Sequence, residues 1–169
     1  PAPNDFAYPT ACALRFRFAA APGRPELDLF WYDGGMKPRL PDDLEAQQVV
    51  MNREGILFVG DQGSILADFN GQNPRLFAKG KSQPLWPQGE PPPSGRGARS
   101  ASWVQACQGG EQSPGSFLQA GAITDAVNLG TVALRAGRKV TFDSAAMRIT
   151  NVPEANRYLV RDYRKGWEL

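Results

Sequence analysis

The sequence predicts an α+β domain: an open, mainly antiparallel β-sheet with helices packed on one face. Three observations predict it. Strand-like runs fill the first part of the chain and helical periodicity the later part, which fits segregated layers rather than alternating βαβ units. Thr10 to Ala20 alternates, with Cys12, Leu14, Phe16 and Phe18 on one side and Arg15 and Arg17 on the other, as in a strand with one buried face. Leu118 to Ala136 carries a helical stripe of Ile123, Val127, Gly130 and Leu134, widened by Ala126, Leu129 and Ala133, and its small residues suit close packing on a sheet.

The elements come in order. Ala21-Pro22-Gly23-Arg24-Pro25 is a turn, and Glu26 to Tyr32 is the next strand, so the first two strands pair as a hairpin or lie as near neighbours. Phe30-Trp31-Tyr32-Asp33-Gly34-Gly35 ends that strand with aromatics, an acid and two glycines, which reads as a sharp turn or as the rim of a pocket. A loop with Lys37 and Arg39 leads to a short helix at Pro41-Asp42-Asp43-Leu44-Glu45, with acids in its first turn. Gly55 to Gly60 is an apolar strand, Asp61-Gln62-Gly63 turns it, and Ser64 to Phe69 returns. Arg75 to Phe77 adds a short edge strand.

From about residue 78 to 99 the composition shifts to Pro, Gly, Gln and Ser, and Pro91-Pro92-Pro93 fits neither a ladder nor a helix interior. This is a loop inside one domain spanning 1–169, since the segment after it is too short to stand alone. Ser100 to Gln108 is a helix with Trp103, Ala106 and Cys107 on one face, stopped by Gly109-Gly110. After the main helix come strands at Lys139 to Phe142 and Met147 to Thr150. Asn151 then caps a short helix with Pro153 in its first turn. Trp103 and Trp167 read as packing anchors.

Composition excludes several chemistries. The 169 residues suffice for one domain, and 41% hydrophobic with 21% charged residues is ordinary for a globular chain. A net charge of +2 with scattered signs offers no clustered basic face for nucleic acid. No apolar run approaches the ~20 residues a membrane helix needs, so no membrane partner is expected. There is no histidine, which removes Ser-His-Asp and Cys-His nucleophiles and His-based metal sites. Cys12 and Cys107 read as buried free thiols. The chain begins at Pro1 without an initiator Met, so it reads as a fragment or processed product.

Several stretches line up with one family. They are Trp31-Tyr32-Asp33-Gly34-Gly35 with Lys37-Pro38, then Gly55-Ile56-Leu57-Phe58-Val59-Gly60-Asp61-Gln62-Gly63, then Asn73-Pro74-Arg75-Leu76. Trp103-Val104-Gln105-Ala106-Cys107-Gln108-Gly109-Gly110 and Asn151-Val152-Pro153-Glu154-Ala155-Asn156-Arg157-Tyr158-Leu159 come next, with Tyr163-Arg164-Lys165-Gly166-Trp167-Glu168-Leu169 at the end. In this order they resemble the C-terminal part of the Gfo/Idh/MocA oxidoreductases, in the bacterial branch that carries a WYDGG segment.

The resemblance implies an α/β domain on an open antiparallel sheet that shapes a sugar or cyclitol site and forms a homo-oligomer through the sheet face. It implies a separate N-terminal Rossmann domain that binds NAD or NADP, and hydride transfer at a hydroxyl- or carbonyl-bearing carbon. The Gly-x-Gly-x-x-Gly fingerprint is absent here, and the family's catalytic histidine would precede Pro1. Where the branch usually has histidines, this chain has Arg99-Ser100-Ala101-Ser102, and Ser116 and Leu118 replace a usual asparagine and aspartate. The expectation is therefore a substrate-side and oligomerisation domain, catalytically inactive alone, with no catalytic, cofactor or metal residue of its own. The alternative is a non-catalytic carbohydrate-binding or self-assembly module of the same fold. A bacterial origin, cytoplasmic or periplasmic, goes with either.

Five residues are candidates for touching a sugar. Asp33 holds a hydroxyl or only closes an Asx turn. Trp31 or Tyr32 stacks on a sugar face, but alternation puts them on opposite sides, so one of them at most reaches a given pocket. Lys37 and Arg39 meet an anionic group or are solvated loop cations.

Overall fold

The computed structural model describes residues 7–85, 96–113 and 115–167, the side chains of 96–101 excepted. In chain order its elements are β1 (Ala13–Phe18), β2 (Leu27–Tyr32), α1 (Asp42–Ala46), β3 (Ile56–Gly60), β4 (Gly63–Ala67), β5 (Arg75–Ala78), β6 (Lys81–Pro84), α2 (Arg96–Cys107), α3 (Phe117–Ala136), β7 (Phe142–Asp143), β8 (Arg148–Ile149) and a 3-10 helix (Pro153–Tyr158). Helices and antiparallel ladders coexist, which is the α+β class. Among the described residues the ladders are three: β1-β2, β3-β4-β5-β6 and β7-β8. The chain divides into two compact units, Pro1–Gly34 with Gln112–Leu169, and Gly35–Glu111.

In the first unit β1 and β2 form the expected hairpin, with Leu14 opposite Trp31, Phe16 opposite Leu29 and Phe18 opposite Leu27. That register puts Leu14, Phe16, Phe18, Leu27, Leu29 and Trp31 on one face and leaves Arg15, Arg17 and Asp28 on the other, with Phe30 and Tyr32. Arg15 binds Asp28 through two hydrogen bonds, Nη2 to Oδ2 at 2.6 Å and Nε to Oδ1 at 3.0 Å. α3 crosses the apolar face at Gly130, where an added Cβ would lie 2.8 Å from Phe16 Cζ and 3.0 Å from Leu14 Cδ1. Glycine is what lets helix and hairpin approach this closely.

The core of this unit lies further along. Val132 of α3 joins Ile149, Val152 and Ala155, with Val140, Phe142 and Leu159 packed around them. Burying Ile149 alone is worth about 1.5–3 kcal/mol. Two asparagines brace the short strands. Asn151 accepts from Thr141 N (2.7 Å) and donates to Lys139 O (3.0 Å). Asn156 accepts from Ile149 N (2.8 Å) and donates to Ile149 O (2.9 Å). Asn151 was expected to cap the last helix; its amide is spent on the strand instead, and Val152 holds the cap position without a side-chain bond. Arg135 of α3 lies over the Tyr158 ring at 4.5 Å and Arg157 at 4.7 Å.

The second unit is a meander, β3-β4-β5-β6, covered by α1, whose Leu44 is fully buried together with Phe77 and Ala67. The hairpin at Asp61-Gln62 stands where the sequence put it. β5 is not an edge strand: β6, inside the Pro/Gly-rich stretch, pairs Ala78 with Lys81 and Arg75 with Pro84. Pro84 is tolerated because it ends the outermost strand, where no further ladder needs its missing N–H. The polyproline run of that stretch lies outside the described residues. α2 starts at Arg96, four residues before its expected start at Ser100.

Burial corrects three expectations. Cys107 is exposed and Cys12 only half-buried, though both thiols are free as expected. Trp103 and Trp167 are 62% and 66% exposed, so neither anchors packing among the described residues. Of the α3 stripe, Ile123 and Val127 are exposed while Gly130 is buried and Leu134 half-buried; Val132, outside the stripe, is buried as well. The stripe is covered in the C-terminal half of the helix and open in the N-terminal half. By length and composition α3 is long and apolar enough to cross a membrane once its two charges, Asp125 and Arg135, are allowed, which the search for an unbroken apolar run missed.

Candidate functional site

The expected rim continues directly from β2. Asp33 N donates to Cys12 O at 3.0 Å, extending the hairpin ladder by one bond, and Asp33 Oδ1 accepts from Gly34 N at 2.6 Å. Gly34 has φ +68°, and a Cβ there would overlap Thr10 O and Ala11. The Asp-Gly-Gly segment is thus required by the turn itself, through positive φ and close backbone approach. Burial pushes the Cys12 thiol above its usual pKa, and the neighbouring Asp33 carboxylate adds to the shift. Trp31 is exposed on the apolar face, opposite Leu14, and Tyr32 is half-buried on the other face, as alternation required.

Lys37 and Arg39 belong to the second unit. Lys37 Nζ donates to Met51 O at 2.8 Å. Arg39 pairs with Asp42 at 3.1 Å and Glu45 at 3.6 Å, complementing the acidic first turn of α1. With Arg39 77% exposed, these pairs add little to stability. The five candidates therefore divide between the units, Trp31, Tyr32 and Asp33 in one and Lys37 and Arg39 in the other.

A concavity lies elsewhere, within Gly35–Glu111. It is a cleft of about 480 Å³ between the segment leading into β3 and the strands β4, β5 and β6. Its polar centre is Asp68, just past the end of β4. The turn after it closes through backbone bonds, Asp68 N to Gln72 O at 2.9 Å and Gly71 N to Asp68 O at 2.8 Å. Asn52 Nδ2 donates to Asp68 Oδ1 at 3.0 Å, and Asn73 Nδ2 to Oδ2 at 2.7 Å. Asn73 has φ +50°, a left-handed conformation that asparagine accepts more readily than most residues. Arg75 Nη2 donates to Ser82 Oγ at 2.8 Å across the β5–β6 pair.

Sequence reasoning did not select Asn52, Asp68 or Ser82, and it used Arg75 only as part of a strand and a motif. The Asn70-Gly71 and Asn73-Pro74 steps are the sequence signals that could have marked this turn. That Asn52 returns to the same carboxylate depends on a loop path no periodicity encodes.

The cleft holds donors and acceptors, with no histidine and no pair of carboxylates bridged to one another. Among the described residues no group of three or more His, Cys, Asp or Glu could hold a metal ion. Every described strand pairing is antiparallel, so the parallel strand–Gly-rich turn–helix cradle of a dinucleotide is not among these elements. No family model matches the chain, and neither the curated proteins nor the solved structures contain a match to it.

Proposed function

We propose that this chain is the substrate-side and oligomerisation part of an NAD(P)-dependent sugar or cyclitol oxidoreductase of the Gfo/Idh/MocA type, inactive in hydride transfer by itself. The family's open antiparallel sheet with helices on one face is part of that proposal. The observation that carries it is the ordered set of motifs, from Trp31-Tyr32-Asp33-Gly34-Gly35 to Tyr163-Arg164-Lys165-Gly166-Trp167. It is supported by the large apolar side chains left exposed on the first unit, Leu27, Phe30, Ile123 and Val127 among them, which suit subunit contact. The Rossmann partner would supply cofactor, lysine and histidine. Trp31 or Tyr32 with Asp33 in one unit, and Lys37 and Arg39 in the other, remain candidates for contact with substrate.

A second reading, a non-catalytic carbohydrate-binding or self-assembly module, is favoured by the absence of histidine and by the amide-bracketed Asp68. Coding sequence upstream of Pro1 separates the two. The first reading expects a Gly-rich dinucleotide motif and a histidine there; a reading frame starting near Pro1 rejects it. Titration of the purified chain with NADH and NADPH should leave their fluorescence unchanged, and saturable quenching or enhancement would contradict an inactive domain. Sedimentation should give a dimer or larger.

A further inference from the structure

We infer that the outer edge of β3 is a self-association site, where the strand pairs antiparallel with β3 of a second copy of this chain and joins two four-stranded ladders into one sheet. The backbone shows the opening. β3 stands at the end of the order β3-β4-β5-β6, so only one of its sides is paired. Gly60 faces Gly63 across the two-residue turn, and these two exchange backbone hydrogen bonds. Alternation then points the N–H and C=O of Phe58 and Ile56 at β4, and those of Leu57 and Val59 away from it. Among the described residues, neither Leu57 nor Val59 makes a backbone bond to a segment outside the ladder.

The two edges of this ladder differ in what guards them. β6 is Lys81-Ser82-Gln83-Pro84, with a charge and a proline, residues that keep an edge from pairing. β3 is Ile56-Leu57-Phe58-Val59-Gly60, without charge or proline, and Phe58 and Val59 stand exposed on its two faces. An apolar edge with free donors and acceptors is a template for a further strand.

Charge names the strand that fits. Arg53 lies before β3 and Asp61 directly after it; both are exposed, and neither is in an ion pair among the described residues. Opposite signs at opposite ends match an antiparallel copy, whereas a parallel copy would set like charges together. Centred on Leu57, the two-fold pairing sets Leu57 against its counterpart, Val59 against Gly55, Ile56 against Phe58, and Arg53 against the partner's Asp61. The outward N–H and C=O groups then have mates, and each Ile56–Phe58 pair is of the β-branched–aromatic kind that favours strand pairing. Glu54, whose charge would oppose the partner's Asp61, lines the cleft instead. A slip by one residue would set inward-pointing groups against outward ones and lose the ladder. The contact is isologous and closes as a dimer. It is a weak one, because a five-residue strand covers far less than a standard interface. This inference stands apart from the oxidoreductase reading: β3 belongs to the second unit, and the apolar side chains offered there for subunit contact belong to the first.

Amide hydrogen exchange and sedimentation of the full 169-residue chain, over about a hundredfold range of concentration, test it. The Leu57 and Val59 amides should exchange more slowly as concentration rises. Val59→Pro removes an outward donor without touching the bonds to β4, and should weaken association roughly tenfold or more. Phe58→Lys, on the exposed face, should weaken it as much and serves if the proline disturbs the hairpin. Arg53→Asp and Asp61→Arg should each weaken it roughly three- to tenfold, and the two together should restore it to within about twofold. Exchange at Leu57 and Val59 that does not depend on concentration overturns the inference, even where the chain associates through its first unit. So does association unchanged in folded Val59→Pro and Phe58→Lys, or a double charge swap no better than the single changes.

Discussion

The two halves of α3 are made of similar residues and meet different fates. From Phe117 to Val127 the large apolar side chains stand exposed, with Phe117 at 96% and Ile123 at 70%. From Gly130 onward the helix is packed, with Val132 at 4% exposure. Hydrophobicity does not separate them. The second half has partners in its own unit: Leu14 and Phe16 of the hairpin against Gly130, and Ile149, Val152 and Ala155 against Val132. A hydrophobic face stabilises a fold only where another element arrives to cover it.

The largest effect should come from the covered side. Ile149→Ala, in the cluster around Val132, should cost about 2–5 kcal/mol in denaturant unfolding, while Ile123→Ala on the open half should stay within about 0.5 kcal/mol in the unassociated chain. Equal losses at both positions would show that the open half is covered in solution. Sedimentation of Ile123→Ser would then show whether a second chain covers it.

Gly130→Val should come next. It sets side-chain atoms against Phe16 and Leu14 at the closest approach of helix and hairpin, at a cost of about 1–3 kcal/mol. Gly121, on the open half, has free space around its would-be Cβ, so Gly121→Ala should stabilise the helix by about 0.5–1 kcal/mol. Destabilisation by the second change would mean that the open half has a close neighbour.

The smallest effect concerns acid. The hydrogen bond from Arg15 holds the Asp28 carboxyl below its usual range, against a lesser opposing pull of desolvation, with the charges of Arg15 and Arg17 helping. A depressed folded pKa means that the contribution is complete at neutral pH and is lost as pH falls below about 4, through the folded value. Asp28→Asn should flatten the acid limb of a thermal-melt series in the hairpin and its packed half-helix. An unchanged acid limb would show that this exposed pair contributes nothing measurable.

Legibility in the sequence tracked the range of the interaction involved. The β1–β2 and β3–β4 hairpins, the acidic start of α1 and the stop of α3 at Gly137 were readable because alternation, turn residues and a left-handed cap act within a few residues. β6 was hidden because Lys81-Ser82-Gln83-Pro84 carries no strand pattern; pairing with β5 alone makes it a strand. Asn151 looked like a cap because capping is a local rule, and the competing partners, Thr141 and Lys139, lie ten or more residues away. Of the candidate sugar contacts, Trp31 and Tyr32 kept the opposite faces that the strand period assigns.

By itself the sequence determined the α+β class, the hairpins, the extent of the main helix and the exclusion of histidine chemistry. Each rests on local periodicity, backbone preference or composition. Tertiary structure alone decided which half of α3 is buried, which strand lies at the edge, and that Asn52, Asp68 and Asn73 meet in one cleft. The physical reason is the same in each case: burial and hydrogen bonding depend on what lies across the gap, and the pattern along a chain states only what each segment offers.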